Sequence, residues 1–530
     1  MSLPPLKGGC NYSLDLMSID SDQAYFMKNC HLDEEGVAFT RKGQRKLNST
    51  AAGDAITSEY DYRRPAGSTT ASILLVTAGK TLYTQNTTTG VLTSIASLNS
   101  SDRPTWCTSM ESGISYAIMA NGTDCIKYDG TTVSNVDTNE DYPWSSGQPR
   151  YVIEYGNRVL AAGCDSDPYT IWVSGLMDCD DWKSGAGTAA VYWTARGASG
   201  DRVTGLSTVY NFGVFFQSDA VSIITEADAD SSTSKQVAVC KDYGTTSHWS
   251  IQSVNNKLYF VDESHIYKGI LRNAIENGLE VSLIDKNILR KYTGVANATD
   301  VVSVYDVENK EIIWGFKSKG QTYVNTSIVY NVALSDSDLN GREIWSGWFE
   351  NASKSFNPYT LASVITSTGA TKIYTGDESG YVYIMGEDNQ YKDNATDVPS
   401  EIRTKALMPG GMTMGKRGRI FTPNVAQRYE GSTYVEWITN GARSYPSSTR
   451  YLKLRNLVPY WEAGTVSRQT QIWDETIWNE RPIMPRQVTI DTPFNYIQFL
   501  IKNDGTNDRD EIHYSGGEFH FQYDSLKRVV

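Results

Sequence analysis

Apolar and polar residues alternate along most of this chain in short runs, with few stretches long enough for an amphipathic helix. From Ile73 to about Met385 these strand-like runs are separated by clusters of Gly, Asn, Asp and Ser. The clearest hairpins run from Leu82 to Ile95 around Thr89-Gly90, from Ala117 to Tyr128 around Asn121-Gly122, and from Val304 to Phe316 around Glu308-Asn309. Another, Ile373 to Met385, turns at Asp377-Glu378-Ser379-Gly380 between alternating aromatic and β-branched residues, as a pleated strand requires. The units recur loosely at roughly 35–45 residues, the size of a four-stranded propeller blade. A β-sandwich array is the rival arrangement. The segment from Asn273 to Tyr292, with Ile275, Leu279, Leu283, Ile284 and Leu289 partly at helical spacing, is the one expected helical insertion, or two short helical turns.

The polar stretch from Asp388 to Ser400 interrupts the pattern, and strands resume after Ile402, including Tyr434 to Ile438 and Tyr496 to Ile501. The expected division is an N-terminal arm and hairpin over 1–50, a β-propeller of four-stranded antiparallel blades over 51–390, and a C-terminal β-domain over 391–530. Composition agrees with an all-β chain: 33 Tyr, 13 Trp and 43 Gly in 530 residues supply sheet formers and tight turns. At about 100–200 residues per domain, the length suits several units or one large closed architecture with an appendage.

A formal net charge of −13 opposes wrapping of nucleic acid, because each phosphate contact needs a Lys or Arg. The seven cysteines form no C-x-x-C pair and cannot all pair internally, so free buried thiols are expected. The opening Met1 to Lys7 lacks the apolar stretch of a secretory peptide, and no run is long and apolar enough for a membrane helix, so a soluble chain made in a cytoplasm is expected. Recurrent Asn-x-Ser/Thr triplets reflect turn composition.

Candidate chemistry is sparse. Gly410 to Arg417 matches G-x-x-x-x-G-K, but Arg417 replaces the magnesium-holding Ser or Thr and Pro409 abuts the first glycine. The expected reading is a mobile basic loop with Lys416, Arg417 and Arg419, a candidate channel or partner contact. Asp336 to Gly341 opens like a calcium loop, yet Gly347 stands at the twelfth position, so an Asx-rich turn is expected. Glu226, Asp228 and Asp230 would share one strand face, in solvent by default. None of the five histidines has metal spacing, and Ser515-Gly516-Gly517 between His513 and His520 suggests a hairpin. There is no G-x-S-x-G elbow and no sialidase-type Asp box. Trp437, Tyr460, Trp461, Trp473 and Trp478 could stack on sugars, though core or interface roles are commoner at strand spacing. No catalytic residue, cofactor or metal is expected.

Two stretches carry a resemblance. The first reads Gly8-Gly9-Cys10-Asn11, then Gln23-Ala24 and Asn29, then Glu35-Gly36-Val37 leading to Thr40-Arg41-Lys42-Gly43. A plain hairpin explains Gly36 but not the rest of that spacing. The second begins RYVIEYGNRVLAAGCDSDPYTIWVSG at Arg150 and continues through Asp180-Asp181-Trp182, Gly200 to Leu206, VYNFGVFFQSDAVSII, Tyr243-Gly244-Thr245 and LYFVDESHIYKGI. In this order they resemble the tail nozzle and tail-hub β-propeller proteins of tailed bacteriophages, similar to podovirus tail tubular protein B or to DNA-stabilisation proteins.

The resemblance touches about half of the chain, and its carry-over is architectural, since that family has no catalytic residues to map. It implies a structural virion protein without enzymatic activity, a homohexameric ring that closes and guides the DNA-ejection channel. The implied partners are further copies of the chain, other tail proteins on the adaptor or portal side, tail fibre or needle, and genomic DNA in transit, with no membrane insertion. The location is the virion tail after synthesis in the host bacterial cytoplasm. A glycan- or receptor-binding β-protein and a propeller-type glycosidase are the alternatives.

Overall fold

The computed structural model describes every residue except 67–68, 137–143, 145–146, 183–190, 195–201, 211, 226–234, 274–277, 352–354, 367, 388–389, 412–415, 428–430, 440–449, 455–486, 491–492, 504–511 and 524–530. It divides into two compact units, one of residues 45–327 and 356–385, the other of 1–44, 328–355 and 386–530.

The unit of 45–327 and 356–385 is a β-propeller. Its innermost strands are Ile56–Ala66, Thr105–Glu111, Tyr151–Tyr155, Gly205–Val209, Gln252–Val254, Val302–Asp306 and Thr360–Ile365. Each packs on the next, and the last packs back on the first, so seven blades close a ring among the described residues. Blades 1 to 5 are four-stranded antiparallel sheets formed in chain order. The expected hairpins are present, with Leu82 opposite Ala96 in blade 1, Ala117 opposite Tyr128 in blade 2, Val304 opposite Ile313 in blade 6 and Ile373 opposite Met385 in blade 7. Closure uses the start of the propeller segment against its end: Leu47 N–H donates to Val382 O (2.8 Å), and the Asn48 side chain bonds both Val382 N–H and Gly380 O.

Apolar residues between neighbouring blades supply the core. Val214, Phe216 and Ile223 of blade 4 pack on Leu258, Phe260 and Leu279 of blade 5. Here the expected helical insertion is corrected. Ile266–Asn273 and Gly278–Leu283 are paired strands, Ile275 lies outside the described residues, and among the described residues of the segment only Leu289–Tyr292 is helical. Leu279, Val281 and Leu283 fall on one face at strand period and meet the blade 4 cluster, so burial decides between two spacings the sequence allows.

The other unit is built from strands far apart in sequence. Gln23–Lys28 pairs with Ser400–Thr404, which pairs with Ile497–Asn503, which pairs with Gly431–Thr439. In a second sheet Ile512–Tyr523 runs beside Lys416–Gln427 and also takes on Ala38–Thr40 and Ser2–Leu3. Phe421 stacks on Phe499 with centroids 3.9 Å apart, which joins the two sheets face to face. The division therefore differs from the arm, propeller and C-terminal domain expected: 1–44, 328–355 and the C-terminal strands share one core. The hairpin expected between His513 and His520 is likewise one strand, in which a register shift at Pro423 to Val425 of its partner absorbs the glycines.

Candidate functional site

Two cavities lie on the propeller axis, and the innermost strands form their walls. One, of about 250 Å³, is bounded by the first residues of the strands of blades 1, 2, 5, 6 and 7; the other, of about 520 Å³, by the later residues of blades 1 to 4. Tyr60 and Trp106 border both. Their rings are stacked at 5.3 Å and 7°, the Tyr60 hydroxyl bonds Thr108 (2.6 Å) and Trp106 Nε1 donates to Ser58 Oγ (2.9 Å), and both rings pack on the core between blades 1 and 2, so the pair is a fixed part of the wall shared by the two cavities.

Glu59 borders the smaller cavity and is 7% exposed. Neither carboxylate oxygen meets a donor in good geometry. Burial raises its pKa more than the Thr360 hydroxyl and the Arg103 guanidinium lower it, which leaves it at about 7. Arg103 donates to Tyr359 O (2.9 Å) and lies over the rings of Trp249 and Tyr359. Burial pushes the His248 imidazole down to about 4, and its neutral Nδ1 accepts from Leu206 N–H (3.1 Å). The hydroxyls around the cavity already have partners: Ser303 Oγ donates to Trp249 O and accepts from Gln252, and Thr360 Oγ1 accepts from Gly376 N–H. Sequence reasoning misses Glu59, Trp106 and His248, because inner-strand positions show only once the blades are ordered around an axis.

The N-terminal pattern converges in the other unit. Gly9 (φ +67°) begins a short parallel pairing with Gln23 and Ala24, and a Cβ there would meet Trp345 O at 2.7 Å. Asn11 donates to Gln23 Oε1 (3.2 Å), and Gln23 donates to Gly8 O (3.3 Å). Asn29 donates to Glu350 O and Pro399 O and accepts from Arg41 Nε (3.0 Å). Arg41 reaches Asp393 through two bonds of 3.0 and 2.5 Å, with both side chains fully buried. Asn11, Gln23, Asn29 and Arg41 thus all hold segments of this unit together.

The expected basic loop is corrected: Lys416, Arg417 and Arg419 belong to the strand Lys416–Gln427. Lys416 is fully buried and donates to Gly411 O and Asn495 O. Arg417 and Arg419 are exposed, the latter bonded to Gln522. Asp338 accepts from the backbone of Asn340 and Arg342 and from the Arg342 side chain, an Asx-type turn. Trp437 is buried. Glu226, Asp228, Asp230, Tyr460, Trp461, Trp473 and Trp478 lie outside the described residues.

Among the described residues, one cluster has metal-ligand chemistry: atoms of Glu111, Cys179 and Asp180 lie within 4.8 Å of one another. The Lys127 ammonium bonds both Glu111 and Asp180, so a protein cation already holds the position between them. Burial also raises the Cys179 thiol to about 12, which opposes thiolate ligation. Among the described residues no helix is long and apolar enough to cross a membrane.

No family model matches the sequence, and no curated protein matches it. Among solved structures, a chain of the Mitotic Checkpoint Complex aligns at 12% identity over 64% of this chain and 96% of that one, with a TM-score of 0.39. The β-propeller domain of Cps50 (Swd1) from Myceliophteria thermophila aligns at 10% identity over 65% and 99%, with a TM-score of 0.41. The extracellular domain of a hybrid two component system from B. thetaiotaomicron aligns at 9% over 79% of this chain and 48% of that one, also at 0.41.

Proposed function

We propose that this chain is a structural subunit of a tailed-phage virion tail, of the nozzle or hub kind, that assembles with further copies into a sixfold ring around the path of DNA ejection. The observation that carries the reading is the convergence of the N-terminal pattern. Asn11, Gln23, Asn29 and Arg41, part of the resemblance to tail propellers, use their polar groups to hold 1–44 to itself, to 328–355 and to 386–530. Such a pattern specifies architecture rather than a reaction.

The propeller axis is not the DNA path in this reading. The innermost strands bound cavities of only about 250 and 520 Å³, the size of small-molecule pockets and not of a passage for duplex DNA. The path would run between subunits, where a net charge of −13 leaves few counterion-releasing contacts to slow a polyanion. Adjoining tail proteins would complete the ring's two ends.

Mass measurement and negative-stain imaging of the purified chain, alone and with adjoining tail proteins, tests this. A sixfold ring seated in a tail is expected. One copy per tail, or a chain with no place in the particle, defeats it. Specific retention on a glycan array without ring formation would favour a receptor-binding protein instead, and turnover abolished by a single carboxylate-to-amide change would favour a glycosidase.

A further inference from the structure

The smaller axial cavity is lined by polar groups that the propeller itself does not use. Glu59 is 7% exposed, and neither of its carboxylate oxygens has a hydrogen-bond partner. A buried carboxyl without donors works against the fold, so its place on a cavity wall points to donors that come from outside the chain. Gln252 lines the same cavity and spends its amide N–H on Ser303 Oγ (3.0 Å), which leaves its Oε1 as a further acceptor. The neutral His248 ring accepts from Leu206 N–H at Nδ1, so its proton is on Nε2, a donor that meets no protein acceptor among the described residues.

The other hydroxyls and N–H groups of the wall are committed. Thr57 and Ser58 bond Thr77, and Thr105 donates to Arg150 O (3.1 Å). Ser303 donates to Trp249 O, while the indole N–H groups of Trp106 and Trp249 go to Ser58 Oγ and Pro104 O. The unused set is therefore two acceptor groups and one donor, beside two indoles. Both tryptophans line the cavity and are only half-buried, so ring surface remains for the C–H groups of a ligand.

Charge narrows the class. Arg103 is near enough to favour the ionised form of Glu59, yet its guanidinium bonds Tyr359 O instead (2.9 Å) and lies over two aromatic rings. An anion in the cavity would meet the Glu59 carboxylate, and a cation would sit beside the Arg103 charge. A neutral molecule with hydroxyl groups avoids both and can donate and accept at once. Size narrows it further: at about 250 Å³ the cavity is near the lower end of small-ligand pockets, with room for one ring and not for a chain of them.

We infer that the smaller axial cavity is a binding site for a single neutral sugar ring, a hexopyranose whose hydroxyls donate to Glu59 and Gln252 and accept from His248 while its C–H face lies against Trp106 or Trp249. The inference does not rest on the tail reading. Ring assembly is read by mass and imaging and sugar binding by titration, so either can fail alone.

The test is a saturation-transfer NMR titration of the full chain with the methyl glycosides of glucose, galactose and mannose, beside those of glucosamine as the cationic and glucuronic acid as the anionic analogue. At least one neutral glycoside should bind at millimolar concentration, and both charged analogues should bind at least tenfold more weakly. Glu59→Met removes both acceptor oxygens and leaves no buried carboxyl to solvate. Its melting temperature should hold or rise while binding falls at least tenfold, which separates a ligand role from a folding one. Gln252→Met should weaken binding independently. No binding by any neutral glycoside, equal or tighter binding of a charged analogue, binding indifferent to either change, or ordered water alone in the cavity of sugar-soaked crystals would each overturn the inference.

Discussion

Arg41 and Asp393, 352 positions apart, form a two-bond ion pair in which neither side chain is exposed. Asn29 accepts from the Arg41 Nε, and Asn351 donates to Asp393 Oδ2 (3.1 Å), so the pair sits in a bonded network rather than in bare apolar surroundings. Removing one partner strands the other charge without solvent. Arg41→Ala or Asp393→Ala should cost about 3–5 kcal/mol, and the double change Arg41→Met with Asp393→Leu should cost much less than the two single costs together. Urea unfolding of the three variants measures this; additive losses would show that the two charges do not depend on each other.

Gly43, two residues on, is a matter of space. A Cβ at that position would lie 2.1 Å from Lys392 O, a backbone atom that cannot swing aside. The Gly43 N–H also donates to Gln390 O (2.7 Å), which fixes the approach. Gly43→Ala should destabilise the chain by about 1–3 kcal/mol through forced backbone shifts. Gly320→Ala is the control, because no atom lies within 4 Å of its added Cβ and only its φ of +84° opposes the change. Chemical denaturation should rank Gly43→Ala as the larger loss.

The parts of the fold legible in the sequence are those whose determinants are local. The turn at Asn121-Gly122 and the alternation on either side fix the pairing of Ala117 with Tyr128 without help from the rest of the chain. Residues 278–283 are ambiguous because Leu279 and Leu283 satisfy a helical repeat and a strand repeat equally, and only the blade 4 surface selects one. The partnership of 1–44 with the C-terminal strands leaves no local trace: Arg41 beside Gly43 looks like an exposed turn until Asp393 is brought to it. Lys416 misleads for the same reason, since a run of basic residues does not reveal which of them faces a core. Glu59 is invisible in sequence because its environment comes from blades 1, 2 and 7 together.

All seven cysteines are free, as their number and spacing lead one to expect; six are buried, and Cys240 is half-exposed. Burial raises the thiols of Cys10, Cys164 and Cys179 to about 12, and those of Cys30, Cys107 and Cys125 above their usual range as well. Thiolates are the reactive form, so the native chain at pH 8 should react rapidly with a disulfide reagent at Cys240 alone and at all seven positions once unfolded. Cys240→Ser should remove the fast phase. Rapid labelling of several thiols in the native chain would contradict this burial.

Glu59 should make the propeller less stable as pH rises toward neutrality, the reverse of a salt-bridged carboxylate. Its pKa is raised from 4.5 to about 7 in the folded chain, chiefly by burial. Between those values the folded chain holds a proton that the unfolded chain has released, so stability falls as pH climbs through this window and levels off above it. The shift corresponds to about 3 kcal/mol, present in full below the unfolded pKa and lost above the folded one. His248, held down to about 4 in the folded chain against 6.5 when unfolded, acts in the opposite sense over much of the same window, so the Glu59 contribution is read only as a difference from a variant that keeps His248. Glu59→Gln keeps the shape and removes the proton. Urea midpoints at pH 5 and pH 8 should therefore show the original chain losing stability relative to the Gln variant as pH increases, with the other titrating groups common to both; pH curves that stay parallel would mean that the Glu59 carboxyl ionises as freely in the folded propeller as in the unfolded chain.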